Sequence, residues 1–221
     1  MSLSRQPNAN SLFKTHPHYA DTHYQFENFT HVPLSSTLLH PSRILALDMD
    51  EVILRFSVSC KEKKPLLIHM AMLKYLLKLA RQNNVMVVIV TARKFLKQKR
   101  CMVSIPCVFA QLGKEYFSHI FYTNHNGKQY ALEYLHQKYF KRTWCQLWGN
   151  FRYKICLVDD YMQENIVPCA KKGFDTIFKN KTAEDLTYLN EIEQFILGQR
   201  SVIVPEYEKI RFEDTYLNFS P

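Results

Sequence analysis

The chain has 221 residues, 47% of them apolar, which is enough to bury a full core and argues against a disordered protein. No apolar run approaches the roughly 20 residues needed to cross a bilayer, and the polar start MSLSRQPNANSLFK lacks the apolar stretch of a secretory leader. The formal charge of +9 is uneven: residues 1–180 hold 25 Lys and Arg against 12 Asp and Glu, while residues 181–221 hold 4 against 8, so the basic part would attract phosphorylated molecules, nucleic acid or anionic membrane.

Residues 1–40 carry five of the nine histidines among aromatics and prolines without sustained periodicity, and read as an irregular lead-in. No acidic or cysteine partners recur there at ligand spacing, which disfavours a histidine metal site. From Arg43 onward, strands and helices alternate. Residues 44–47 are a short apolar run, and 69–81 repeat apolar residues at helical spacing through Met70, Leu73, Leu76, Leu77 and Ala80. The run VMVVIV at 85–90 is rich in β-branched residues and too short for a buried helix, so it predicts a strand. A helix follows over 94–112, interrupted near Pro106, then a short strand over 120–122 and an amphipathic helix over 127–140. Residues 154–158 predict a buried strand, 163–172 a helix around Pro168, and 174–178 a last strand. Thr182 and Asp185 form a capping box that opens a final helix, which Gly198 ends.

This alternation requires parallel pairing through right-handed crossovers, hence an α/β fold built as a three-layer, doubly wound parallel sheet. The domain is expected to span 41–199, with 200–221 as a C-terminal tail. In such sheets ligands sit beyond the carboxyl ends of the strands, near a switch in strand order. The six cysteines (Cys60, Cys101, Cys107, Cys145, Cys156 and Cys169) show neither C-x-x-C pairing nor the density of a disulfide scaffold, and read as reduced thiols in a cytosol. A cysteine phosphatase would need Cys followed by five residues and Arg. Cys145 comes nearest, but Phe151 stands at the required place and the arginine is one residue late, at Arg152.

Four segments carry or lead into suggestive residues: ILALDMDEV, VMVVIVTAR, IFYTNHNGK and ICLVDDYMQEN. An Asp-x-Asp after a strand is often a turn or a helix cap, and Val-Asp-Asp is often a solvated loop. Carboxylates at two strand ends, a hydroxyl at a third and a lysine opening a helix together make a coherent phosphate and metal site. The order and setting resemble the haloacid dehalogenase (HAD) superfamily of phosphohydrolases. Its signature is a strand with D-x-D-x-[TV], a strand ending in Thr or Ser, a lysine, and a strand ending in DD. The matching residues are Asp48-Met49-Asp50-Glu51-Val52, Thr91, Lys128 and Asp159-Asp160, across residues 43–180. Lys94 and Lys99 compete with Lys128 for the third place. The resemblance implies a HAD-like Rossmannoid fold.

A phosphomonoester carries about two negative charges and repels a carboxylate unless a cation neutralises both. Mg2+, held by carboxylates from separate strand ends, meets that need. Asp48 would offer one oxygen to the metal and attack phosphorus with the other, giving an aspartyl-phosphate. The resemblance assigns Asp50 the roles of acid to the leaving oxygen and base to the hydrolytic water, with its carbonyl on the metal. Thr91 and Lys128 would hold the phosphoryl oxygens; Asp159 would complete the metal shell and Asp160 would support it. Gly127 would let the helix start approach phosphate closely. Arg93, Lys94, Lys97, Lys99 and Arg100 read as a solvated helix face, with phosphate or peptide contact as the alternative. Asn165 would brace the Asp159 loop, and Trp144 and Trp148 read as core.

HAD enzymes commonly choose substrates with inserted cap domains. Only about 15 residues separate the first motif from the helix near His69, room for a flap and no large cap. An open site would admit a phosphorylated protein or peptide, with phosphotyrosine slightly ahead of phosphoserine or phosphothreonine because Phe56, Tyr122 and Tyr161 could receive a ring. Capless relatives include D-x-D protein phosphatases and phosphotyrosine phosphatases that intracellular bacteria inject into host cells. A cytoplasmic or injected protein is therefore expected, with peripheral membrane association through a part beyond Pro221 as a further expectation. The alternatives are a nucleotide or sugar phosphate phosphatase and, from another class, a basic phosphoinositide- or nucleic-acid-binding module with a vestigial site; nucleic acid is the less favoured partner.

Overall fold

The structure, a computed structural model, describes residues 24–34, 38–55, 66–93, 105, 108–124, 126–140, 151–180 and 186–200. The strands are β1 (Tyr24–Gln25), β2 (Phe29–Pro33), β3 (Arg43–Leu47), β4 (Leu54–Arg55), β5 (Leu66–Leu67), β6 (Val85–Thr91), β7 (Phe117–Thr123), β8 (Ile155–Asp159) and β9 (Asp175–Phe178). The helices are α1 (Met70–Gln82), α2 (Lys128–Tyr139), α3 (Val167–Lys171) and α4 (Thr187–Leu197). Residues 105 and 108–112 are also helical.

Seven strands form one sheet in the order β1-β2-β7-β6-β3-β8-β9. β7, β6, β3, β8 and β9 run parallel, whereas β1 and β2 add antiparallel. The expected parallel body is present, but the sheet is mixed. The irregular lead-in is also corrected: residues 24–33 supply the two strands at one edge, so the sheet begins well before residue 41. β7 is longer than the three residues read from sequence, and β8 runs on to include Asp159.

Alternation along the strands builds two cores, since successive side chains leave opposite faces. Ile44, Ala46, Met86, Val88 and Leu157 pack with Ala131, Leu132 and Leu135 of α2. Leu45, Leu47, Val87, Ile89 and Val158 pack with Leu73, Leu76 and Leu77 of α1 and Ile192, Phe195 and Ile196 of α4. These are the three layers. Met70, counted in the α1 stripe from sequence, is exposed because it stands at the helix start, outside the buried 73, 76, 77 and 80 set.

The chain moves outward from β3 through β6 to β7, then returns across β3 to β8 and β9. The crevice at the carboxyl ends of β3 and β8 is therefore the switch point. Past β3, a tight turn closes through Ile53 and Leu54 N–H groups donating to the Met49 carbonyl at 3.1 and 2.8 Å, with Glu51 left-handed at φ 58°. It leads into an antiparallel hairpin of β4 with β5. Neither the interval 56–65 within that hairpin nor the interval 92–113 after β6 reaches the roughly 40 residues a separate folded unit requires, which confirms the absence of a large cap.

The helix read over 163–172 is split. Residues Met162–Ile166 form a π-helical turn that passes into α3, with Pro168 in the first turn, where its missing N–H leaves no hydrogen bond unmade. Gly198 ends α4 in the left-handed region at φ 72°, as its position predicts. The Thr182 capping box, Trp144, Trp148, Lys94, Lys97, Lys99, Arg100 and Phe56 lie outside the described residues. Among the described residues, no helix is long and apolar enough to cross a membrane.

Candidate active site

Asp48 is the first residue beyond β3, and its N–H donates to the Val158 carbonyl at 3.0 Å, which pins it beside the end of β8. Asp159 closes β8 and Asp160 follows it, Thr91 closes β6, and Lys128 opens α2. All five are buried, none more than 4% exposed. Lys128 Nζ lies 2.8 Å from Asp48 Oδ1 and 2.5 Å from Asp159 Oδ2. Oxygens of Asp48, Asp159 and Asp160 fall within 4.8 Å of one another.

Burial pushes the Asp48 carboxyl up to about 7; Lys128 opposes the shift and the charge of Asp159 adds to it. Burial alone would lower the Lys128 pKa, but Asp48 and Asp159 outweigh it and hold the ammonium above its ordinary value. Asp159 Oδ1 accepts the Tyr161 N–H at 2.8 Å and Asn165 Nδ2 at 3.1 Å. The π turn brings Asn165 back toward Asp159, so Asn165 does brace this loop. Lys179 N–H donates to the Asp159 carbonyl at 2.9 Å, which ties the loop to the end of β9.

Asp50 differs from the other site carboxylates. Its side chain is 27% exposed, and Arg93 grips both oxygens: Nε donates to Oδ2 at 2.8 Å, and Nη2 pairs with Oδ1. The Arg93 N–H also reaches Thr91 Oγ1 at 3.3 Å. Reading Arg93 as part of a solvated helix face is therefore corrected, since its side chain is only 8% exposed and is spent on Asp50. Sequence reasoning missed this pair. Arg93 stands two residues past Thr91, which hints at the backbone contact, but nothing in the spacing joins it to a residue 43 positions away.

Two further expectations are altered. A side chain at Gly127 would place its Cβ 2.9 Å from the Asn124 carbonyl oxygen and 3.2 Å from that of Asn28, so this glycine is required by backbone packing against the loops that flank β2 and β7. Tyr122 is core, packed with Val32, Leu34 and Ile120, and cannot receive a substrate ring. Tyr161 remains available, 46% exposed. Burial pushes the thiols of Cys156 and Cys169 up, the latter to about 12, which leaves neither as a nucleophile.

The donor set fits a hard divalent cation. It offers only carboxylate oxygens, gathered from two neighbouring strands, and each oxygen has two lone pairs, so the contacts to Lys128, Tyr161 and Asn165 leave room for further coordination.

No protein-family model and no curated protein matches the sequence. Among solved structures, a candidate HAD-like phosphatase from Mesorhizobium loti superposes with a TM-score of 0.52 over 84% of this chain and 99% of its own, at 12% identity. The chain has the HAD-like fold. A candidate YrbI-family phosphatase from Pseudomonas syringae matches at TM-score 0.43 and 14% identity, covering 80% of this chain and 94% of its own. The 3-deoxy-D-manno-octulosonate 8-phosphate phosphatase of Moraxella catarrhalis matches at 0.42 and 16%, with the same coverage. In this chain, the HAD-like fold brings Asp48, Asp159 and Lys128 into contact, gathers Asp160 beside them, and holds Asp50 at the rim through Arg93.

Proposed function

We propose that the protein is a magnesium-dependent phosphomonoester hydrolase that works through an aspartyl-phosphate on Asp48, with phosphoproteins as its substrates. The observation that carries this reading is the buried contact of Asp48 and Asp159 with Lys128 at the switch point, with Asp160 completing a carboxylate cluster. Mg2+ held by Asp48, Asp159 and the Asp50 carbonyl would offset the charge between carboxylate and phosphate.

Asp48 attacks phosphorus; its new P–O bond forms as the bond to the leaving oxygen breaks, and Asp50 gives that oxygen a proton. Asp50 then takes a proton from water, the water oxygen bonds to phosphorus, and the aspartyl P–O bond breaks to release orthophosphate and free Asp48. Thr91 donates its hydroxyl to a phosphoryl oxygen, and Lys128 supplies positive charge. Asp160 supports the metal side of the site.

The absence of a large cap supports a macromolecular substrate, because a short flap leaves room for a side chain on a protein surface to reach Asp50, which is 27% exposed. Tyr161, exposed and next to Asp160, supports a slight preference for phosphotyrosine. The test is turnover of p-nitrophenyl phosphate with and without EDTA, followed by phosphotyrosine peptides, phosphoserine peptides, nucleotides and sugar phosphates. Metal-dependent turnover led by the peptides is expected. Faster nucleotides or sugar phosphates would move the substrate class to small molecules, and no turnover of any ester would leave a binding module.

A further inference from the structure

Arg93 touches two parts of the site at once. Its backbone N–H rests on the Thr91 hydroxyl at 3.3 Å, and its guanidinium holds the Asp50 carboxylate from both sides. A two-point grip fixes the plane of a carboxylate as well as its position, which a single hydrogen bond does not. Asp50 needs that help. It sits on a turn anchored by the burial of Met49, Val52 and Ile53, which are fully enclosed, whereas its own side chain is partly exposed.

We infer that Arg93 is the positioning residue for Asp50: it sets the orientation in which the carboxyl group, when protonated, gives its proton to the leaving oxygen and, when ionised, takes one from the hydrolytic water, and couples it through Thr91 to the place where the phosphoryl group is held. This rests on the proposed phosphatase reading, in which Asp50 is acid and base. The guanidinium of Arg93 then acts on the reaction through Asp50. It transfers no proton, because a guanidinium stays protonated throughout the working range. Loss of Arg93 should therefore reproduce the loss of Asp50 in kind, and removing both should cost little more than removing one.

The experiment is a double-mutant cycle on the full chain with Mg2+ present, comparing wild type, Asp50→Asn, Arg93→Gln and the double variant. Each is assayed on p-nitrophenyl phosphate and on an alkyl phosphate that the wild type hydrolyses. An aryl oxygen leaves with little need of a proton, whereas an alkoxide needs one. Arg93→Gln should lower kcat on the alkyl ester about 10²-fold and on the aryl ester less than about 10-fold, with KM nearly unchanged. The double variant should fall within about threefold of Asp50→Asn alone. Arg93→Lys, which keeps the charge and loses the fork, should lie between wild type and Arg93→Gln.

Equal losses on both esters, a raised KM that persists in the Asp50→Asn background, or additive losses would overturn the inference in favour of direct phosphate binding. Unfolding of both Arg93 variants while Asp50→Asn melts normally would also overturn it, in favour of a purely structural clamp. A wild type that hydrolyses neither ester removes the phosphatase reading itself. An active wild type whose Arg93 variants keep full activity removes only the role of Arg93.

Discussion

Lys128 and Asp48 are ion-paired at 2.8 Å with both side chains closed off from solvent, at the junction of a helix start and a strand end. Neither charge is tolerable there alone. Lys128→Met should leave Asp48 and Asp159 facing each other without a cation, and should lower stability by about 3–5 kcal/mol when metal is absent. Magnesium should recover part of this loss. Urea unfolding with EDTA and with Mg2+ measures it; a variant as stable as wild type in EDTA would show that the pair is dispensable.

Asp48→Asn keeps the shape of the side chain while removing the attacking charge and a metal ligand. Turnover of p-nitrophenyl phosphate should fall at least about 10³-fold, some 4 kcal/mol, with the circular dichroism spectrum unchanged. Retention of a tenth of the wild-type rate would take the nucleophile away from Asp48.

Metal should stabilise as well as activate, because it binds the folded carboxylate cluster and not the unfolded chain. At a concentration 100 times its Kd, Mg2+ should add about 2.7 kcal/mol, and Asp159→Asn should remove most of that gain. Thermal melts against Mg2+ concentration read this without any assay of activity. An equal upward shift in Asp159→Asn would place the metal elsewhere.

The second buried network lies away from the site. His31 Nε2 meets His119 Nδ1 at 3.0 Å, and His119 Nε2 meets the Tyr139 hydroxyl at 2.6 Å. Burial, followed by Lys138, holds His31 down at about 3; burial, followed by His31 and Lys138, holds His119 down at about 2. Both pKa values fall below the unfolded 6.5, so the unfolded chain binds protons that the folded chain refuses. Their stability is complete above pH 6.5 and is lost as pH falls, by about 2 kcal/mol per histidine between pH 7.5 and 5. Asp48 works in the opposite sense, since its raised folded pKa of about 7 gives stability that is lost as pH rises from 3.8 towards 7. The histidine effect is therefore best read in Asp48→Asn. Urea midpoints in that background should fall from pH 7.5 to pH 5, and adding His119→Asn should flatten the slope. An unchanged slope would show that the pair does not control acid stability.

How much of this was legible beforehand depended on whether the deciding interaction was local. β3 and β6 could be read because short apolar runs buried on both faces, rich in β-branched residues in β6, need no partner to be recognised. Asp48, Thr91 and Asp159 could be read because each follows or closes a strand, and Lys128 because it opens the helix after a strand, in a fixed order. β2 could not: FTHVP carries a histidine and a proline, and becomes strand only because it pairs with β7. His31 looked like part of an irregular lead-in until His119 stood opposite it, and Arg93 looked like one of five basic residues until Asp50 took it. In each case the partner comes from a distant part of the chain.

That edge pairing also constrains how the protein can be made. β2 leaves the ribosome early, yet Phe29 pairs with Thr123 and Pro33 with His119, so only its edge toward β1 can be satisfied until β7 has been synthesised. Through that interval the nascent chain carries a strand with one edge unpaired, and the loop that must close is long enough to make its docking a slow step. A chaperone that shields this segment during translation should raise the yield of soluble protein, and synthesis halted before Phe117 should leave a nascent chain in which β2 is open to protease.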